Sequence, residues 1–312
     1  MSVDVEALKL LAQEKKLPLE RLINAIENEV AKAYAELPVA KPHGRAVLNR
    51  QSGELVIYVP VLGPDGDRID TVTDNPDGFA KLADKTARKV IKEKMREAKD
   101  LEVVTEFSGS VGDVIGGIVQ QGRDADVIYV SLGRVEGKVP PAEQVKGEVY
   151  KHGDRIKCFV VDVKQGEKGP EVTLSRTHPA FVKMLFALEV PEIKERVVDI
   201  VGIAREPGAR TKLSVRTHRA GVSDKGALIG PQGSRAQNVM NELNGEKIDI
   251  IDFSEDPATY VANALAPAKV SSVEIVDLEM KSAKVIVPDY QLSLAIGKDG
   301  QNARLAARLT QW

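Results

Sequence analysis

The chain has 312 residues, room for two to four domains, and its 43% hydrophobic and 29% charged residues are those of an ordinary water-soluble globular protein. A formal net charge of −2 excludes a polycationic coat for nucleic acid, and 4% aromatic residues are too few to stack many bases. With one cysteine, no run of 18 apolar residues and no basic-then-apolar leader, the sequence excludes an internal disulfide and points to a reducing cytosol without a membrane anchor.

Residues 1 to about 104 open with a helix over Val5-Lys15 and a second over Leu19-Leu37. The second places Leu22, Ile23, Ile26, Val30, Ala33, Tyr34 and Leu37 at helical spacing and is ended by Pro38 and Pro42. A short sheet follows, Ala46-Leu48 and Leu55-Val59 joined across Ser52-Gly53. Asn75-Pro76-Asp77-Gly78 then starts a long helix from Phe79 to about Glu97, rich in Lys81, Lys85, Arg88, Lys89, Lys92 and Lys94. No catalytic constellation stands in this α/β segment. It reads as a docking domain, with a plain structural cap as the alternative.

Residues 105 to about 177 change character. Strands are expected at Val114-Gln121, Val127-Leu132, Arg134-Val139, Arg155-Val163 and Glu171-Ser175, with glycine turns between them. Five short strands are the count of an OB β-barrel, a fold that binds oligonucleotides across its face. Gly112-Asp113, Leu132-Gly133, Gly137 and His152-Gly153-Asp154-Arg155-Ile156-Lys157 resemble the OB subtype repeated in the largest small-subunit ribosomal protein. A small barrel with no nucleic-acid role is the alternative. Tyr129, Tyr150 and Phe159 are the rings available for stacking, at about 1–3 kcal/mol per stacked base. Cys158 sits in the strand-like run Ile156-Lys157-Cys158-Phe159-Val160 and reads as a core thiol. His43, His152, His178 and His218 are scattered, and no Cys/His spacing suggests a metal, so neither metal nor cofactor is expected.

From about residue 178 the pattern is α/β. A helix over Pro179-Leu188 precedes strands Val197-Ala204 and Lys212-Thr217, a helix over Asp224-Ile229, a helix over Ser234-Leu243 and a strand Lys247-Asp252. A linker helix over Ala258-Leu265 follows, with Val261, Ala262, Leu265 and Ala266 as a small apolar face, and the order repeats. The second copy has strands Val270-Asp277 and Ala283-Val287 and helices Tyr290-Ile296 and Gln301-Leu309. It stops at Trp312, where a closing strand is expected, so that strand is either truncated or lacking. Between the paired helices stand two glycine loops, Gly230-Pro231-Gln232-Gly233 and Gly297-Lys298-Asp299-Gly300, whose first glycines are 67 positions apart. A Gly-x-x-Gly turn lets two backbones approach, and in the KH module it clamps about four nucleotides of single-stranded backbone. The order is that of bacterial-type (type II) KH domains, in tandem.

Candidate RNA contacts are therefore Gly230, Gln232, Gly233 and Arg235 at the first loop, and Gly297, Lys298, Asp299, Gly300, Asn302 and Arg304 at the second. Pro231 removes one amide donor and the first loop has no cation, so direct phosphate contact is expected chiefly at the second. A basic cluster, Arg205, Arg210, Lys212, Arg216 and Arg219 against the single acid Glu206, adds Arg205, Lys212 and Arg216 as phosphate contacts. Arg308 lies beyond Arg304 in the last helix. Domains are expected at 1–104, 105–177, 178–254 and 255–312.

Several strings resemble one family. They are Leu174-Ser175-Arg176-Thr177-His178-Pro179, Leu188-Glu189-Val190-Pro191-Glu192-Ile193, Asn241-Glu242-Leu243-Asn244-Gly245-Glu246-Lys247-Ile248-Asp249-Ile250, Asn263-Ala264-Leu265-Ala266-Pro267-Ala268, and Gln291-Leu292-Ser293-Leu294-Ala295-Ile296-Gly297 leading into Gln301-Asn302-Ala303-Arg304-Leu305. With the domain order, they make the chain similar to the NusA family, bacterial transcription elongation and termination factors. The resemblance covers residue 105 to the end closely and the N-terminal part more loosely. It implies RNA polymerase core as a partner of residues 1–104, nascent single-stranded RNA as the ligand of the rest, and contacts with other antitermination factors. The expected protein is a monomeric, cytoplasmic, non-catalytic rod that biases pausing, termination or antitermination. A phosphorolytic RNA nuclease would need large catalytic domains before the barrel, and no paired-carboxylate metal site or Gly-Lys-Ser/Thr phosphate loop is present. An RNA-binding protein without polymerase contact is the remaining alternative.

Overall fold

The computed structural model describes residues 3–15, 17–65, 67–122, 124–219 and 223–312. It separates into two units, residues 1–105 with 165–170, and residues 106–164 with 171–312.

In the first unit Asp4 caps α1 (Val5–Glu14) by accepting the Ala7 amide, and α2 (Leu19–Ala35) starts after Pro18. The stripe Leu22, Ile23, Ile26, Val30 and Tyr34 is buried against a sheet and against α3 (Phe79–Ser108). That sheet is β1 (Arg45–Leu48), β2 (Leu55–Leu62) and β3 (Arg68–Thr73), in the order β1-β2-β3. It has one strand more than expected. β3 is exposed along nearly its whole length and carries no alternating apolar signal, so only its antiparallel pairing with β2, Val59 opposite Val72, reveals it. The helix α3 runs past Glu97 to Ser108 because no glycine or proline interrupts residues 79–108. Lys81, Lys85, Arg88, Lys89 and Lys92 are exposed along it.

The second unit begins with a closed five-stranded barrel in the order β4-β5-β6-β8-β7. Its strands are β4 (Val114–Gln120), β5 (Ile128–Ser131), β6 (Glu136–Val139), β7 (Arg155–Gly166) and β8 (Gly169–Ser175). Val130, Val139, Cys158, Val160, Val172 and Leu174 fill the interior. Burial pushes the Cys158 thiol up to about 12, so it is an inert core group. The rings do not form a stacking platform. Phe159 is buried and lies flat on the His178 ring, 4.5 Å between centroids, and the Tyr150 hydroxyl donates to Glu148. Tyr129 and Tyr150 are each half-buried.

His178 caps α4 (Pro179–Glu189), and a short α5 (Pro191–Lys194) leads into β9 (Val198–Glu206) and β10 (Arg210–Thr217). Then come α6 (Asp224–Ile229), α7 (Ser234–Glu242) and β11 (Lys247–Asp252). The sheet order is β11-β10-β9, with β10–β11 parallel and β10–β9 antiparallel. The parallel pairing requires the crossover that α6 and α7 supply. The second copy comprises α8 (Pro257–Ala264), β12 (Ser272–Asp277), β13 (Ser282–Ile286), α9 (Asp289–Ile296) and α10 (Gln301–Thr310). Among the described residues its sheet has two strands.

The copies share a core. Tyr260, Ala264 and Leu265, with Leu305, Ala306 and Leu309 of α10, pack on Ala204 and Ile251 of the first copy's sheet. The linker helix thus presents Tyr260, outside the small-residue face expected, and its hydroxyl donates to Ser214 Oγ at 2.8 Å.

Charge is buried beside the barrel. Arg176 makes a two-pronged pair with Glu148 and donates to the Lys157 and Glu242 carbonyls. Arg205 pairs with Glu246, both side chains within 1% of full burial, and its remaining nitrogen donates to the His178 carbonyl. Glu246 also accepts from Thr211 Oγ1 and the Gly208 amide. Replacing Glu246 with Gln leaves Arg205 buried without its counter-charge and is expected to cost about 3–5 kcal/mol in urea unfolding. Replacing the exposed Glu6, which pairs with Lys9, should leave the same transition in place.

Candidate nucleic-acid interface

Each glycine loop closes one helix and opens the next with the same backbone path. The first runs through Gly230 (φ 72, ψ 176), Gln232 (54, 24) and Gly233 (78, 9); the second through Gly297 (77, 171), Asp299 (52, 29) and Gly300 (75, 10). The first angle pair is open essentially to glycine alone. Pro231 does not alter this path. It takes the first position of the tight turn, where its fixed φ fits, and costs only its amide donor.

The two glycines of each loop have different jobs. A Cβ on Gly230 would stand 2.6 Å from Arg235 Cγ, and one on Gly297 would stand 2.7 Å from the Asn302 amide nitrogen. The first glycine therefore lets the residue five positions on press against the loop. Gly233 has open space where a Cβ would be, and at Gly300 the nearest atom is the flexible Arg304 guanidinium, 3.9 Å away. Neither α7 nor α10 has a side-chain cap on its first amides. Uncapped amides, the helix dipole and an open glycine together make an anion-accepting surface at each loop.

Side chains distinguish the loops. Lys298 is exposed and has no ion-pair partner among the described residues, whereas the first loop offers the neutral, exposed Gln232. Arg235 is not free: its Nη1 donates to the Ala227 carbonyl at 2.7 Å and pairs with Glu192. Asn302 is buried, and its amide donates to the Leu265, Leu294 and Ala295 carbonyls while its Oδ1 has no donor among the described residues. Ala227 and Leu294 each stand three residues before the first glycine of their loop, so Arg235 and Asn302 are equivalent clamps. Arg304 donates from Nη1 to the Asp299 carbonyl at 3.0 Å and from Nε to Glu206 at 2.7 Å.

The basic cluster is largely turned inward. Arg205 is locked to Glu246, and Lys212 is fully buried, donating to Asp249 at 2.8 Å and to the Ala266 carbonyl at 2.7 Å. Burial pushes the Lys212 pKa down, and Asp249 acts against that shift. Arg210 shares Asp249. The expected phosphate contacts at Arg205 and Lys212 are corrected accordingly: both cations are desolvated and neutralised. Their acids were missed because they lie on or next to β11, which Lys212 meets opposite Asp249 in the parallel register. Arg216 stays at the surface, half-buried over the Phe253 ring at 4.9 Å and paired with the exposed Glu255, and Arg219 is exposed.

Residues 176–253 match a family model described as the NusA-like first KH domain, and residues 257–312 match the NusA-like second KH domain. The transcription termination/antitermination protein NusA of Mycobacterium tuberculosis is 44% identical over 319 residues, covering 100% of this chain and 92% of that protein. The Bacillus subtilis protein of the same name is 42% identical over 331 residues, covering 99% and 88%. The solution structure of the N-terminal domain of NusA from B. subtilis covers 30% of this chain and 94% of that domain, at 25% identity and a TM-score of 0.26. At such identity over nearly the full length of both relatives, the chain belongs to the NusA family of transcription termination/antitermination proteins.

Proposed function

We propose that the chain docks on core RNA polymerase through residues 1–104 and collects nascent single-stranded RNA on its tandem KH pair, so biasing hairpin formation and with it pausing, termination and antitermination. The barrel extends that RNA-facing body. The second glycine loop carries the reading: Gly300 is open, the first amides of α10 are uncapped, and Lys298 stands free beside them. The exposed lysines of α3 suit an acidic partner surface on the polymerase.

The mode of action is binding, in the cytoplasm, without catalysis. Groups with strongly shifted protonation, such as Cys158, Tyr150 and Arg176, serve packing and ion pairs and do not converge on an open cleft.

Lys298→Asp is expected to weaken binding to a single-stranded oligoribonucleotide at least several-fold with the circular dichroism spectrum unchanged. Unchanged affinity in a fluorescence titration would remove the second loop from the RNA site. Around the loops, the cations not held by Glu206 are chiefly Lys298, Arg216 and Arg219. At about 0.7 released counterion per neutralised phosphate, the slope of log affinity against log salt is expected near −2. A slope steeper than about −6 would point to a polybasic surface elsewhere.

Crosslinking on a paused elongation complex is expected to place residues 1–104 on the polymerase and the second loop on emerging RNA. Polymerase crosslinks confined to residues 106–312 would overturn the docking assignment.

A further inference from the structure

Glu206 ends β9 in the first KH copy, yet its carboxylate is used by the second. Oε1 accepts from Arg304 Nε at 2.7 Å and has Arg308 Nη1 at 3.8 Å, and Oε2 accepts from Gln301 Nε2 at 2.8 Å. Arg304 turns its other arm to the loop, donating to the Asp299 carbonyl with Nη1 only 3.9 Å from where a Cβ on Gly300 would stand. One guanidinium thus lies between an acid of the first copy and the open side of the second loop. Glu206 is no core residue either: its side chain is 22% exposed, against 43% for Arg304 and 56% for Arg308. The hydrogen bond from Arg304, then that from Gln301, holds the Glu206 carboxyl below the usual carboxylate range, so it stays charged at neutral pH.

We propose that Glu206 limits the affinity of the second loop by competing with RNA phosphate for the Arg304 and Arg308 guanidiniums. This rests on the reading of that loop as an RNA site. A phosphate arriving at Gly300 meets an arginine already partnered, and it gains that contact only by displacing the carboxylate. The exchange swaps one anion for another, so it yields less than a contact with a free arginine. It also opens one polar link between the two copies, while the apolar seam of Tyr260, Leu265, Leu305 and Leu309 holds. Binding at the second loop is thereby linked to the contact between the repeats.

The test uses the full chain and a fluorescent single-stranded oligoribonucleotide titrated at several potassium chloride concentrations. Glu206→Gln keeps a hydrogen-bond acceptor and removes the charge. It is expected to tighten binding at least threefold and to steepen the salt slope by about 0.7 for each arginine that gains a phosphate. In a chain carrying Arg304→Gln and Arg308→Gln, the same Glu206 change should give no gain, because the groups competed for are gone. Equal or weaker binding by E206Q overturns the proposal. So does a gain that survives loss of both arginines, which would mark a general charge effect. Lys298→Asp, titrated alongside, separates the two levels. If it weakens the parent chain, the RNA site stands whatever Glu206 does; if it changes nothing, the site and this proposal fall together.

Discussion

The Glu246 carboxylate is the point on which the RNA-facing half depends. A buried carboxylate is tolerable only when its oxygens are filled by donors, and Glu246 receives Arg205 on both oxygens, the Thr211 hydroxyl and the Gly208 amide. Those donors come from the end of β9, the turn after it and the start of β10, and Glu246 itself immediately precedes β11. One ion therefore fixes the hairpin against the parallel strand, and with it the crossover that carries the first glycine loop. The Arg205 arm that reaches the His178 carbonyl extends the constraint to the exit of the barrel. Arg176, held by Glu148 and reaching the carbonyl that ends α7, repeats the device one layer away. Both guanidiniums lie within 6 Å of the Phe181 ring, at 5.4 and 5.9 Å, so the two locks share a wall.

The repeats keep a geometry while changing the residues that enforce it. In the first copy a charged, half-buried arginine ties the carbonyl of Ala227 and is neutralised by Glu192. In the second, a buried asparagine ties the Leu294 carbonyl and needs no counter-ion. Loop torsions remain the same to within 5° at both glycine pairs and at Gln232 and Asp299, from 72 against 77 at the first glycines to 78 against 75 at the last. Any difference in RNA contact between the loops must therefore come from what stands on them, Pro231 and Gln232 against Lys298 and Asp299, and from the acid that each neighbouring arginine faces.

Patterns of period 2 and 3.6 made much of this architecture legible. The five barrel strands, the paired helices around each glycine loop and the long helix from Phe79 all follow from local spacing and from glycine or proline punctuation. Signals that depend on distant residues were not legible. β3 exists because β2 is beside it, and α3 reaches Ser108 because nothing stops it. Phe159 looks like a stacking ring until His178 covers it. The basic run from Arg205 to Arg219 looks like a phosphate track because its counter-charges, Glu246, Asp249 and Glu255, stand about 40 positions further on. A local count of one opposing acid was correct and misleading, since residues on and flanking the parallel strand β11 supply the others.

That internal pairing decides how RNA could be held. With a net charge of −2, the chain spends Arg205, Arg210, Lys212 and Arg235 on its own carboxylates, so these four are not left for a polyanion beside the first loop. Attraction at long range is then weak, and holding must rely on groups that act only at contact. Helix-end amides and open glycines are of that kind: they carry no net charge, are little affected by salt, and select for backbone that can approach within hydrogen-bond distance. Single strands satisfy this more readily than a duplex, whose backbone cannot thread a tight turn. The two loops are built alike and joined through one apolar seam on the same body, so an RNA held at one would meet the other at high effective concentration.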